Sequence, residues 1–173
     1  MTERTIKIRK VHEDYVEQFT RYFADHIHEN DRKELQAMGR FNDEAAYDAL
    51  SHGVGREYCF TASIDAEKGE PVWLAIGGWC PIEGTVWFIT TKYVDTLTRT
   101  ERVRFGLALK GVMQKMLKTW PDVAFKNIVS MSNRSHIKLI KALGGKGFNT
   151  LYENTKSGAM FYPFYFINNT KGE

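Results

Sequence analysis

Apolar residues recur along this chain with two periods, and each change of period marks an element. Ile6, Ile8 and Val11 stand against Lys7, Arg9 and Lys10, with one slip, which predicts an amphipathic first strand. Val16, Phe19, Phe23 and Ile27 then return at helical spacing, so the pattern predicts a helix from His12 to His28. Glu29 to Met38 is polar and charged and continues as a second short helix, stopped by Gly39. Asn42 stands where a third helix needs a cap, Asp43 and Glu44 suit its first turn, and Gly53 closes it.

The period then shortens. Tyr58, Phe60, Ala62 and Ile64 alternate with Cys59, Thr61 and Ser63, giving a strand over Glu57 to Ile64. Pro71 to Cys80 is apolar on both faces and reads as a central strand, in which Gly77 and Gly78 suggest a bulge or a close backbone approach. Thr85 to Thr91 is a further strand. Thr98 and Glu101 have the spacing of a capping box. The stripe Phe105, Leu109, Val112 and Met116 carries the helix that follows as far as Trp120. Thr150 to Asn154 and Ala159 to Phe166, around Lys156-Ser157-Gly158, read as a closing hairpin.

Composition narrows the setting. A chain of 173 residues with 43% hydrophobic and 26% charged residues is expected to form one globular domain over 1–173. A formal charge of +3 is too mild to argue for nucleic acid by itself. Cys59 and Cys80 lie in apolar runs and read as buried thiols. The N-terminus lacks the apolar core of a signal peptide, and no apolar run reaches the ~18 residues of a membrane span, so the expected compartment is the cytoplasm. No metal-ligand spacing, nucleotide P-loop or Ser-His-Asp signature is visible.

The stretch Phe125 to Phe148 is the most informative. Ile128, Val129 and Met131 form a short buried strand, and Ser132 and Asn133 offer side-chain oxygens to a helix start. Ile137, Ile140 and Leu143 keep one apolar face, Gly144 and Gly145 stop the helix, and Phe148 opens a new strand. A strand, a polar-capped helix carrying Asn133, then Leu143-Gly144 and an aromatic resembles the last core motif of the GNAT superfamily of N-acyltransferases. Asn-x-Ser-His followed by Leu-Gly-Gly is closest to the divergent acetyltransferase-like proteins of short-tailed bacteriophages. The element order over nearly the whole chain agrees: a strand, two or three helices, three strands, a long helix, a strand, a short helix and two strands.

The resemblance implies an α/β fold with a mixed, mainly antiparallel sheet of about seven strands and helices on both faces. Its central pair, Thr85–Thr91 and Phe125–Met131, is parallel and splays apart to admit the pantetheine arm of acetyl-CoA. By the same resemblance Asn133 and Ser135 face that arm, with main-chain groups near Thr90 and Thr91. The family's pyrophosphate pattern falls on Val103 to Ala108, where Gly106 and Ala108 fit and Val103 does not. Since the helix begins at Thr98, Gly106 lies two turns inside it, leaving phosphates to Arg99, Arg102, Arg104 and the N–H groups near Thr98 to Thr100. Arginines on a helix surface are common, and a solvated helix face is the better reading of the same residues.

His136 stands where the family keeps a small residue, and Ile140 where it keeps a tyrosine acid. An imidazole titrates near neutrality, which suits a general acid or base, and makes His136 the candidate catalytic residue. The strand Thr85–Thr91 offers no carboxylate as a base. Three readings follow. One is an acetyl-CoA-dependent transferase acting on an amine, with a host protein among the candidate acceptors. Another is a GNAT-fold protein that has lost catalysis and binds, as a virion component or a modulator of a host factor. Nucleic-acid binding through Arg99 to Arg104 is the weakest.

Overall fold

The computed structural model describes residues 4–39, 44–54, 56, 58–65 and 69–168. Asn42, expected as a cap, and Glu57, expected to open a strand, lie outside the described residues. An eight-stranded sheet runs in the order β1-β2-β3-β4-β5-β8-β6, with β7 also on β8. Its strands are β1 (Ile6–Lys10), β2 (Cys59–Ile64), β3 (Val72–Cys80), β4 (Thr85–Thr90), β5 (Phe125–Ser130), β6 (Lys146–Gly147), β7 (Tyr152–Glu153) and β8 (Met160–Phe166). Its helices are α1 (Val16–His26), α2 (Glu29–Ala37), α3 (Ala45–Ser51), α4 (Arg99–Thr119) and α5 (Arg134–Ala142).

Every strand pairing is antiparallel except β4 with β5, which is parallel. The long α4 supplies the crossover that a parallel pair requires. This is the GNAT fold. Local readings shift, and the first helix, expected to reach His28, ends at His26 because Ile27 bridges to Thr91. The first helix opens as a 3₁₀ turn over Glu13–Tyr15, because His12 caps the Asp14 amide and tightens the start. Phe148 does not open a strand: it sits at φ 63° just after β6.

Alternation along β4 sets the two faces. Trp87 and Ile89 pack with α1 and α3 around Phe23 and Leu50, whereas Val86 and Phe88 pack with α4 and α5 around Met116 and Ile140. The two glycines of β3 are read from their neighbours. A Cβ on Gly77 would lie 2.6 Å from Phe88 Cβ, and one on Gly78 would lie 2.5 Å from the Tyr58 carbonyl oxygen. They mark close approach, and the register slip falls instead on β2 between Ala62 and Ser63. Cys59 is buried and Cys80 half-buried.

Candidate functional site

The sheet opens where β4 and β5 part. They share one register pair, Thr85 with Lys126, below which the Lys126 amide donates to the Gly84 carbonyl at 2.9 Å. Above it the backbone ladder stops. The Asn127 side chain bridges the first gap by donating to the Val86 carbonyl at 2.7 Å. Beyond that, the edges of β4 and β5 that face each other need other partners.

The turn between α1 and α2 supplies them. Ile27 forms an antiparallel bridge to Thr91, and the His28 amide donates to the Thr90 carbonyl at 2.8 Å. One turn into α2, Asp31 Oδ2 accepts from the Thr90 amide at 2.8 Å and from its hydroxyl at 2.7 Å. Glu34, three residues on, accepts the Ser130 amide of β5 at 2.9 Å through Oε2. Residues three apart share a helix face. The carboxylates of α2 therefore grip both diverging strands, one each.

Asn133 completes the cluster from the start of α5. Its Oδ1 accepts the His136 amide at 3.3 Å, which makes Asn133 the cap, as expected from the sequence. Its Nδ2 donates to Asp31 Oδ1 at 3.0 Å and Glu34 Oε2 at 3.2 Å. Ser132, the other candidate cap, instead bonds Ser130 Oγ at 2.8 Å. His136 Nδ1 stands 3.6 Å from Asp31 Oδ1 and 3.9 Å from Glu34 Oε1. Its ring meets Phe88 edge-on with centroids 4.2 Å apart. Nε2 is buried and has no hydrogen-bond partner among the described residues.

Burial decides the charge state here. Loss of solvation raises the Glu34 carboxyl to about 7, against the pull of the Ser130 amide; nearby Asp31 adds to the rise. Burial lowers His136 below its ordinary value, and the Asp31 carboxylate pulls the other way. A cavity of about 260 Å³ runs past this cluster through the strand gap, between Asp31, Glu34 and His136 and a wall of Phe88, Met113 and Phe164. A second of about 260 Å³ lies across His136, toward Thr90, Leu97, Arg102 and Ser135.

The sequence-derived site residues fall into two groups. Thr90, Asn133, Ser135 and His136 meet at the strand gap; Ser135 Oγ donates to Asn133 Oδ1 at 3.2 Å and accepts from Asn30 Nδ2 at 3.3 Å. Thr91 is fully buried beside them, its amide on the Leu74 carbonyl and its hydroxyl on that of Trp73. Arg99 is exposed at the start of α4, and Arg102 donates to the carbonyls of Leu97 and Asp95, each at 3.0 Å. The α4 N-terminus closes on itself. Thr98 and Glu101 form the expected capping box, and Arg4 holds Glu101 through two bonds of 2.7 and 2.9 Å. That guanidinium draws the Glu101 carboxyl down to about 2. Asp31 and Glu34 are the site residues that sequence reasoning missed. The available signal was two acids three apart on a polar helix, beside the apolar Leu35.

The fold and the cleft define the class: a GNAT-type sheet parted at its parallel pair. Three solved structures share that fold. The ribosomal-protein-S18-alanine N-acetyltransferase of Escherichia coli is 14% identical over 98% of this chain and 97% of its own, with a TM-score of 0.57. A GNAT-family acetyltransferase from Bacillus anthracis is 12% identical, with 97% of both chains covered and a TM-score of 0.58. A ribosomal L7/L12 alpha-N-protein acetyltransferase in complex with coenzyme A is 10% identical, with 96% of both covered and a TM-score of 0.58. At these identities the likeness is one of fold. Residues 63–152 match the family model described as "Bacteriophage T7, probable scaffold protein Gp13", and the chain belongs to that family. No curated protein matches it. Among the described residues, no helix is long and apolar enough to cross a membrane.

Proposed function

We propose that this chain is a GNAT-fold protein, one domain over residues 1–173, that works by binding during phage particle assembly. The setting follows from the scaffold protein its family is named for. The observation that carries the loss of catalysis is the grip of α2 on the strand gap. A pantetheine arm needs free main-chain groups at the end of β4, and here the Thr90 amide is held by Asp31 and its carbonyl by the His28 amide. Asn133 is spent on Asp31 and Glu34. The phosphate end fares no better, since the Glu101 carboxylate already sits at the N-terminus of α4 on the Thr98 amide and Gly106 lies inside that helix. As they stand, Thr90, Thr91, Asn133 and Ser135 with Arg99 and Arg102 do not fit acetyl-CoA.

A second reading keeps the enzyme: an N-acetyltransferase using acetyl-CoA on an amine of a protein acceptor, with His136 as acid or base. The observation in its favour is the unpartnered Nε2 of His136 beside a cavity that crosses the sheet. On that reading α2 withdraws before the cofactor enters. Calorimetric titration of acetyl-CoA into the full chain separates the two. The binding reading expects no heat at millimolar ligand and no thiol released with mixed protein or small-amine acceptors. Saturable binding accompanied by thiol release would overturn it in favour of the enzyme.

A further inference from the structure

The net charge of +3 averages over two unlike layers. Helices α4 and α5 pack into the same core on one face of the sheet. Together they carry nine lysines and arginines and one acid, Glu101, which is already held by Arg4. The opposite layer, α1 to α3, carries six acids and three basic residues. Its acids are largely compensated from within: two grip the strand gap, Glu17 takes the Tyr47 hydroxyl, and Glu29 pairs with Lys33. The basic layer has charges left over. Lys110, Lys115, Lys118, Arg134 and Lys138 are exposed and make no ion pair among the described residues.

We infer that the outer face of α4 and α5 binds the phosphate backbone of duplex nucleic acid without reading sequence. A second copy of this chain is a poorer fit, because four of the six acids on its opposite layer are already engaged. From Arg99 to Lys118 the charges run along one helix for about 28 Å at 1.5 Å per residue, most of one turn of a duplex. The large apolar groups exposed on α4 are Val103 and Leu107, both aliphatic. Single strands are held by aromatic stacking platforms, and α4 exposes none among the described residues, which favours the duplex; beside α5 the half-buried Phe148 ring has Lys141 Nζ 5.0 Å from its centroid. Lys110, Lys115 and Lys138 lie away from the N-terminus of α4, so the inference is independent of whether the cleft takes coenzyme A.

Fluorescence anisotropy of the full chain with a mixed-sequence 30-base-pair DNA duplex tests this. With about four phosphate contacts, affinity falls about 100-fold between 50 and 200 mM salt. The variant Lys110→Glu/Lys115→Glu/Lys138→Glu, all at exposed positions, loses binding while keeping its melting temperature. Lys33→Glu, on the other layer, leaves binding unchanged. The inference is overturned if the duplex fails to bind at 50 mM salt or if the triple variant binds as well as the parent. It is also overturned if polyglutamate or a single strand binds more tightly than the duplex, pointing to an acidic protein or an unpaired strand.

Discussion

Glu34 is a buried acid whose ordinary value of 4.5 is raised to about 7 by burial. The folded chain thus holds this proton more tightly than the unfolded one. The stability it contributes is complete below about pH 4.5, falls as pH rises, and is gone above about 7. Glu34→Gln removes the titration and keeps an oxygen for the Ser130 amide. The variant should match the parent at pH 5 and exceed it at pH 8 by about 1–3 kcal/mol in urea denaturation, since each tenfold difference in proton affinity between folded and unfolded chain is worth about 1.4 kcal/mol. His136 acts in the opposite direction, losing stability as pH falls below its ordinary 6.5, because burial disfavours its cation. Its imidazole lies 3.9 Å from Glu34 Oε1, so the difference between the proteins reads Glu34 together with its effect on His136. A variant weaker than its parent at both pH values would mean that the ionised carboxylate holds Ser130. The cap role of Asn133 was legible in the sequence, because a cap is a local contact. Its amide partners were not, lying 102 and 99 residues away on a helix that reads as a solvated surface.

Elements were legible wherever one face is apolar. The strand β4, the capping box of α4 and the glycine stop of α5, with Gly144 at φ 96°, all follow from local pattern and local hydrogen bonds. What failed were boundaries governed by tertiary contact, such as the break at Ile27, which leaves α1 to bridge Thr91. The pyrophosphate pattern around Gly106 was ambiguous in sequence because a glycine marks a loop or merely weakens a helix. In the structure Gly106 is interior to α4, and a Cβ there would meet nothing within 4 Å. Gly106→Ala should therefore stabilise the chain by about 0.5–1 kcal/mol, the ordinary helix-interior gain. A lower denaturation midpoint would show instead that this backbone must leave helical geometry to serve a ligand.

At the scale of the molecule, the sheet is two half-sheets, β1 to β4 and β5 to β8, joined by a single register pair and spanned by α2. The parallel pairing was legible because a crossover helix of 21 residues fixes it, and the splay was implied by the family resemblance alone. The clasp across the gap was not, because nothing in a polar helix says which strand ends it meets. If α2 holds the halves together, Asp31→Ala should open the gap without melting either half. The variant loses the acceptor for the Thr90 amide and one partner of Asn133, and leaves Glu34 alone on Ser130. Native-state hydrogen exchange should then show protection falling at least about tenfold at Thr90, and falling also at Ser130 and along α2. Protection at Ile76 in β3 and Val129 in β5, both in the buried cores of their halves, should persist. Uniform loss across the sheet would mean that the halves unfold together and that α2 is packing, not a clasp.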